Sequence, residues 1–83
     1  MPLFMDIHNL PEPVDAEQAA AAHAADLAAQ SAYGVDYCNY WLAADGKQIF
    51  CLVSAPDAET AALVHREAHG LVADEIHEVT EGK

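Results

Sequence analysis

The chain has 83 residues, one domain at most, and alanine supplies 18 of its hydrophobic positions, so the core is thin or is completed by a second copy. Fourteen acidic residues against three basic ones give a formal charge of −11, too few cations to neutralise phosphates or anionic lipids, which argues against nucleic acid and charged membrane surfaces as partners. No apolar run approaches the ~20 residues of a membrane span, and the amino terminus lacks the basic start of a signal peptide, so a cytoplasmic location is expected.

Residues 3–8 alternate and read as a strand. Asn9-Leu10-Pro11-Glu12-Pro13 breaks it, because proline lacks a backbone donor and fixes φ. Asp15 with Gln18 forms a capping-box pattern, and the alanine-rich stretch from Ala16 to about Ala32 is strongly helical. Tyr33-Gly34 ends it. Val35 to Ala43 and Gln48 to Ser54 read as a hairpin about Asp45-Gly46, with Tyr40 opposite Cys51 and Cys38 opposite Val53. Ala55-Pro56-Asp57 opens a second helix that His69-Gly70 closes, and Asp74 to Thr80 can form a last strand. The tail, Glu81 to Lys83, is expected to fray. The order β-α-β-β-α-β is the split βαβ of ferredoxin-like folds. We therefore expect an α+β sandwich over residues 1–83, a four-stranded antiparallel sheet with two helices on one face. The strand Ile49-Phe50-Cys51-Leu52-Val53 is apolar on both faces, so the uncovered face should show Phe50 and Leu52 beside Trp41 and Tyr37. Such a patch predicts a homodimer packed sheet to sheet.

Five histidines stand among carboxylates, a mixture suited to a divalent cation. His65 and His69 lie four apart in His65-Arg66-Glu67-Ala68-His69, on one face of the predicted helix. Imidazole suits Ni(II), Cu(II), Zn(II) and Fe(II). The segment is not H-E-x-x-H, so zinc-peptidase chemistry is disfavoured. Asp6 and His8 share one strand face, with Leu3, Met5 and Ile7 on the other. An aspartate within an apolar strand needs a compensating partner, which a metal, a histidine or a dimer mate could supply. Surface exposure is the alternative for His8, and loop capping for Asp6. His23, on a stripe with Ala20 and Leu27, reads as core or interface packing; His77 reads as an exposed strand residue. Cys51 could be a soft ligand, but sheet packing is the simpler reading. With no C-x-x-C, no glycine-rich phosphate loop and no nucleophile elbow, other templates fail. Cys38 and Cys51 are expected to be reduced thiols.

Three stretches carry a resemblance: Met5-Asp6-Ile7-His8-Asn9-Leu10-Pro11, Ala21-Ala22-His23-Ala24-Ala25-Asp26-Leu27, and Val64-His65-Arg66-Glu67-Ala68-His69-Gly70-Leu71-Val72-Ala73. They resemble a family of small actinobacterial nickel-binding proteins, a domain-of-unknown-function family with a ferredoxin-like fold. Tyr40-Trp41 and Phe50-Cys51-Leu52-Val53 fit it too, so the likeness spans nearly the whole chain. It implies a cytosolic homodimer that binds nickel and has no established reaction. The expected ligands rest on chemistry: His65 and His69 first, then His8, then Asp6. The leading expectation is a soluble Ni(II)-binding protein for metal storage, buffering or sensing, with Zn(II) or Cu(II) able to take the place of nickel. The alternatives are a small dimeric α+β-barrel enzyme, an isomerase or cofactor-independent oxygenase using His8, Asp6 or His69 as acid–base groups, and a partner-binding module without a site.

Overall fold

A computed structural model describes residues 1–82. The elements follow in the order β1 (Leu3–Asn9), α1 (Ala16–Ala29), β2 (Asp36–Leu42), β3 (Gln48–Ser54), α2 (Ala58–Ala68) and β4 (Glu75–Val79). Local chemistry sets their ends. The Asp15 carboxylate accepts the Gln18 N–H at 2.8 Å while Gln18 Oε1 accepts the Asp15 N–H at 2.9 Å, a complete capping box. The last expected turn of this helix tightens into a 3-10 turn, Gln30–Tyr33, closed by Gly34 in the left-handed region at φ 65°. Asp57 caps α2, its Oδ1 accepting from both the N–H and the hydroxyl of Thr60 at 2.7 Å. Glu81 and Gly82 follow the last strand without regular structure, and Lys83 lies outside the described residues.

The sheet order is β2-β3-β1-β4, all pairs antiparallel, with both helices over one face: a ferredoxin-like α+β layout. The hairpin tip also packs on the proline-rich segment. Val14 N–H donates to Gly46 O at 2.9 Å, and a Cβ on Gly46 would stand 2.6 Å from Val14 O. With φ at +75°, only glycine suits that position.

Register divides the sheet into two chemically different faces. Phe4, Asp6 and His8 of β1 lie opposite Val53, Cys51 and Ile49 of β3 on the helix side. Phe4, Val35, Val53, Ala55, Ala61 and Val64 form the buried apolar core there. The other side presents Leu3, Met5, Ile7, Phe50 and Leu52, none fully buried, beside Trp41, which is 49% exposed.

Two sequence expectations are corrected. Tyr37 does not join Trp41 on the open face. A β-bulge shifts the register between Tyr37 and Asn39, so Tyr37 rather than Cys38 opposes Val53 and turns into the core at 1% exposure. One extra residue in a strand reverses the face of everything before it. The inward stripe of α1 is likewise not Ala20 and Leu27: its buried residues are Ala19 and Asp26, His23 is half-buried against Tyr40, and Leu27 is 44% exposed. With alanine around most of the helix, few large side chains define a face.

Candidate metal centre

Four elements bring charged side chains together beneath the helices. The period of two in β1 points Asp6 and His8 inward, and β3 sets Cys51 beside Asp6. From α2 comes His65, and from α1 Asp26. Asp6, Asp26 and His65 are each exposed by 2% or less and His8 by 6%, burial that charged groups reach only when paired.

His65 is the hub. Its Nδ1 donates to Asp26 Oδ1 at 2.7 Å and its Nε2 to Asp6 Oδ2 at 2.9 Å. Carboxylates only accept, so both ring nitrogens carry protons and the ring is a buried imidazolium. Burial alone would lower its pKa; the two carboxylates overturn that and hold it up at about 11. Burial would likewise raise Asp6, but its hydrogen bond with His65 and the nearby His8 ring bring it down to about 2. Asp26 is lowered too, against burial, by His65 and His69. Burial pushes the Cys51 thiol upward, more than its His65 contact offsets, so it is neutral. The Tyr37 hydroxyl, raised far above its ordinary range by burial and the nearby carboxylates, stays protonated and donates to Ala61 O at 2.8 Å, with Asp6 Oδ2 at 3.4 Å.

Paired as it is, the cluster is incompletely satisfied. His8 Nε2 stands 3.2 Å from both His65 Nε2 and Asp6 Oδ1. The second contact lacks hydrogen-bond geometry, and among the described residues Asp6 Oδ1 has no hydrogen-bond partner. A buried carboxylate oxygen in that condition costs about 1–3 kcal/mol or more.

The residues fit a divalent ion. One donor atom each from Asp6, His8, Cys51 and His65 lies within 4.8 Å of the others. Neighbouring donors about 2.1 Å from a common ion stand about 3.0 Å apart in octahedral and about 3.4 Å apart in tetrahedral geometry, close to the separations of 2.9 Å from His65 Nε2 to Asp6 Oδ2 and 3.2 Å from His8 Nε2 to His65 Nε2 and to Asp6 Oδ1. If His65 released its Nε2 proton, Nδ1–H would still donate to Asp26, as metal-ligating histidines commonly do to a carboxylate. A second group, Asp26, His65 and His69, uses the opposite nitrogen of His65. There His69 Nε2 lies 3.0 Å from Asp26 Oδ1 while its Nδ1 accepts the Leu71 N–H at 3.1 Å. That acceptor role leaves the His69 proton on Nε2, the ring nitrogen nearer Asp26.

Of the residues singled out by sequence, Asp6, His8 and His65 meet directly, and His69 joins them through Asp26. His77 lies apart, exposed on the open face and 3.1 Å from Glu75. His23 stacks on Tyr40 with ring centroids 4.8 Å apart. Sequence reasoning missed Asp26. The available signal was a lone carboxylate seven residues after Ala19 in an otherwise small, apolar helix stripe.

Residues 4–79 match the family described as nickel responsive protein SCO4226-like. The chain belongs to this family. The crystal structure of SCO4226 from Streptomyces coelicolor A3(2) is similar along essentially the whole length: TM-score 0.89, 37% identity, 98% of this chain and 99% of that one. The likeness of the three sequence stretches to small actinobacterial nickel proteins and the ferredoxin-like expectation are both borne out by these matches. No curated protein matches the chain.

Proposed function

We propose that this member of the SCO4226-like family binds a divalent metal ion, Ni(II) foremost, through His65, His8, Asp6 and Cys51. Asp26 orients His65 from behind, and His69 steadies Asp26. The observation that carries this reading is the buried convergence of imidazole, carboxylate and thiol donors about an Asp6 oxygen that has no hydrogen-bond partner among the described residues. The family's nickel-responsive description supports nickel as the ion. Intrinsic affinity alone would favour Cu(II), so metal availability and site geometry choose nickel. The net charge of −11 raises the local concentration of cations around the site. The open face, with Phe50, Leu52 and Trp41, supports a homodimer joined sheet to sheet. In this reading the protein stores, buffers or senses the ion in the cytoplasm.

The test is calorimetric titration of untagged, chelator-stripped protein with Ni(II). We expect saturable binding, weakened roughly 100-fold or more in His8→Ala/His65→Ala. Protons should be released on binding, because His65 carries two ring protons and Cys51 one before the ion enters. Repeating the titration in buffers of different ionisation enthalpy measures them. Unchanged affinity in the double variant removes these residues from the site.

A further inference from the structure

The two donor groups share His65 and use it from opposite ends. Its Nε2 is 2.9 Å from Asp6 Oδ2, on the side of His8 and Cys51. Its Nδ1 is 2.7 Å from Asp26 Oδ1, which His69 Nε2 approaches to 3.0 Å. The groups differ in access from solvent. A half-open pocket is lined by His65, Asp26 and His69 together with His8 and Cys51. Asp26 is the carboxylate on that lining; Asp6 lies behind it. His69 is the most exposed of the donors, its side chain 15% accessible against 7% for His8.

We propose that Asp26, His69 and the Nδ1 of His65 form an entry position, which the divalent ion occupies before it passes to the inner set of Asp6, His8, Cys51 and His65 Nε2. The inference rests on the metal reading above. A cation arriving through the pocket meets the Asp26 carboxylate and the His69 ring before it meets Asp6. The outer group offers three protein donors, so water completes the shell and exchange is easy; the inner group offers four, all buried, and retains the ion. His65 serves either position without loss. An ion on Nδ1 leaves the Nε2–H donating to Asp6, and an ion on Nε2 leaves the Nδ1–H donating to Asp26. Movement inward exchanges the Nε2 proton of the ring for one on Nδ1, so its proton count does not change. The outer position is also the more temporary one. A neutral His69 that ligates through Nε2 carries its proton on Nδ1 and gives up the Leu71 N–H, a bond that returns when the ion moves on.

Cys51 marks the inner position, because a thiolate on Ni(II) gives a near-ultraviolet charge-transfer band and the outer group has no sulfur donor. The experiment follows the appearance of that band when untagged, chelator-stripped protein is mixed with excess Ni(II) in a stopped-flow instrument. In the wild type we expect the rate to level off as Ni(II) rises, since transfer inward becomes limiting once the entry position fills. In His69→Ala the rate should rise linearly with Ni(II) and be slower by about tenfold or more. Its equilibrium affinity should stay within about threefold of wild type, because a station taken off the path slows entry and release alike. His69→Gln separates ligation from support: its amide can still donate to Asp26 but is a poor ligand, so it should behave as His69→Ala does. A linear rate in the wild type, wild-type rates in His69→Gln, or a His69→Ala that enters at wild-type speed overturns this inference alone. No sulfur band in the wild type at saturating Ni(II) overturns the metal reading and this inference with it.

Discussion

The two faces of the sheet invert the usual relation between polarity and burial. Beneath the helices, where an all-apolar layer would cost least, lie two aspartates and two histidines, each at most 6% exposed. On the uncovered face stand Leu3, Met5, Ile7, Phe50 and Leu52, with Trp41 the most exposed member of the patch. Maximal stability of an isolated chain would favour the opposite arrangement. The difference teaches that neither face is arranged for an isolated apolar core, and it fits the proposed function, in which a cation meets one face and a second apolar surface the other.

The buried face should break most dramatically. His65→Ala removes the shared partner of two buried carboxylates, and we expect a loss of about 3–5 kcal/mol in urea unfolding of chelator-treated protein. Replacing the set together, as Asp6→Leu/Asp26→Leu/His65→Met, should recover most of that loss while abolishing Ni(II) binding, since well-packed apolar groups often equal a buried ionic network. A triple variant no more stable than His65→Ala would show that the cluster is a structural requirement of the fold.

Phe50→Asp tests the open face. Two copies of the charge would meet across a sheet-to-sheet interface, so light scattering should show the mass falling from dimer to monomer. Ni(II) bound per chain should not change, because every proposed donor sits under the helices of its own chain. A loss of both dimer and metal would mean that the faces are coupled.

Acid and alkali test the cluster in the absence of metal. Asp6 titrates at about 2 in the folded chain instead of 3.8, so its contribution is present above about pH 3.8 and is lost as pH falls through about 2. His65 titrates at about 11 instead of 6.5, so its contribution is present below about pH 6.5 and is lost as pH rises through about 11. Thermal unfolding in chelator should therefore give a maximum between roughly pH 4 and 6.5, and His65→Ala should flatten the alkaline limb. The smallest effect is expected for Tyr37→Phe, which removes the hydroxyl donating to Ala61 O and should cost about 1–2 kcal/mol in the same unfolding assay.

Much of this was legible in the residues. The capping box at Asp15, the hairpin at Asp45-Gly46 and the helix start at Ala55-Pro56-Asp57 all depend on groups within three or four positions of one another, and each formed as read. Asp6 and His8 could be placed on one face from strand alternation. Their meeting with His65 depends on the register of β1, where a one-residue shift would have turned both side chains to the open face. Asp26 escaped because the weakly amphipathic α1 does not declare which side faces inward; its contact with His65 spans 39 positions.

By itself, then, the sequence determined the order of elements, the ferredoxin-like layout and an acidic, histidine-bearing chain suited to cations. Those properties are local or compositional: helix caps, period-two alternation and net charge need no distant partner. Only the tertiary structure decided that Tyr37 turns inward across the bulge, that α1 presents Asp26 in place of Leu27, and that His65 joins two carboxylates between the layers. These outcomes rest on register and helix rotation, which are chosen by contacts between residues far apart in the chain.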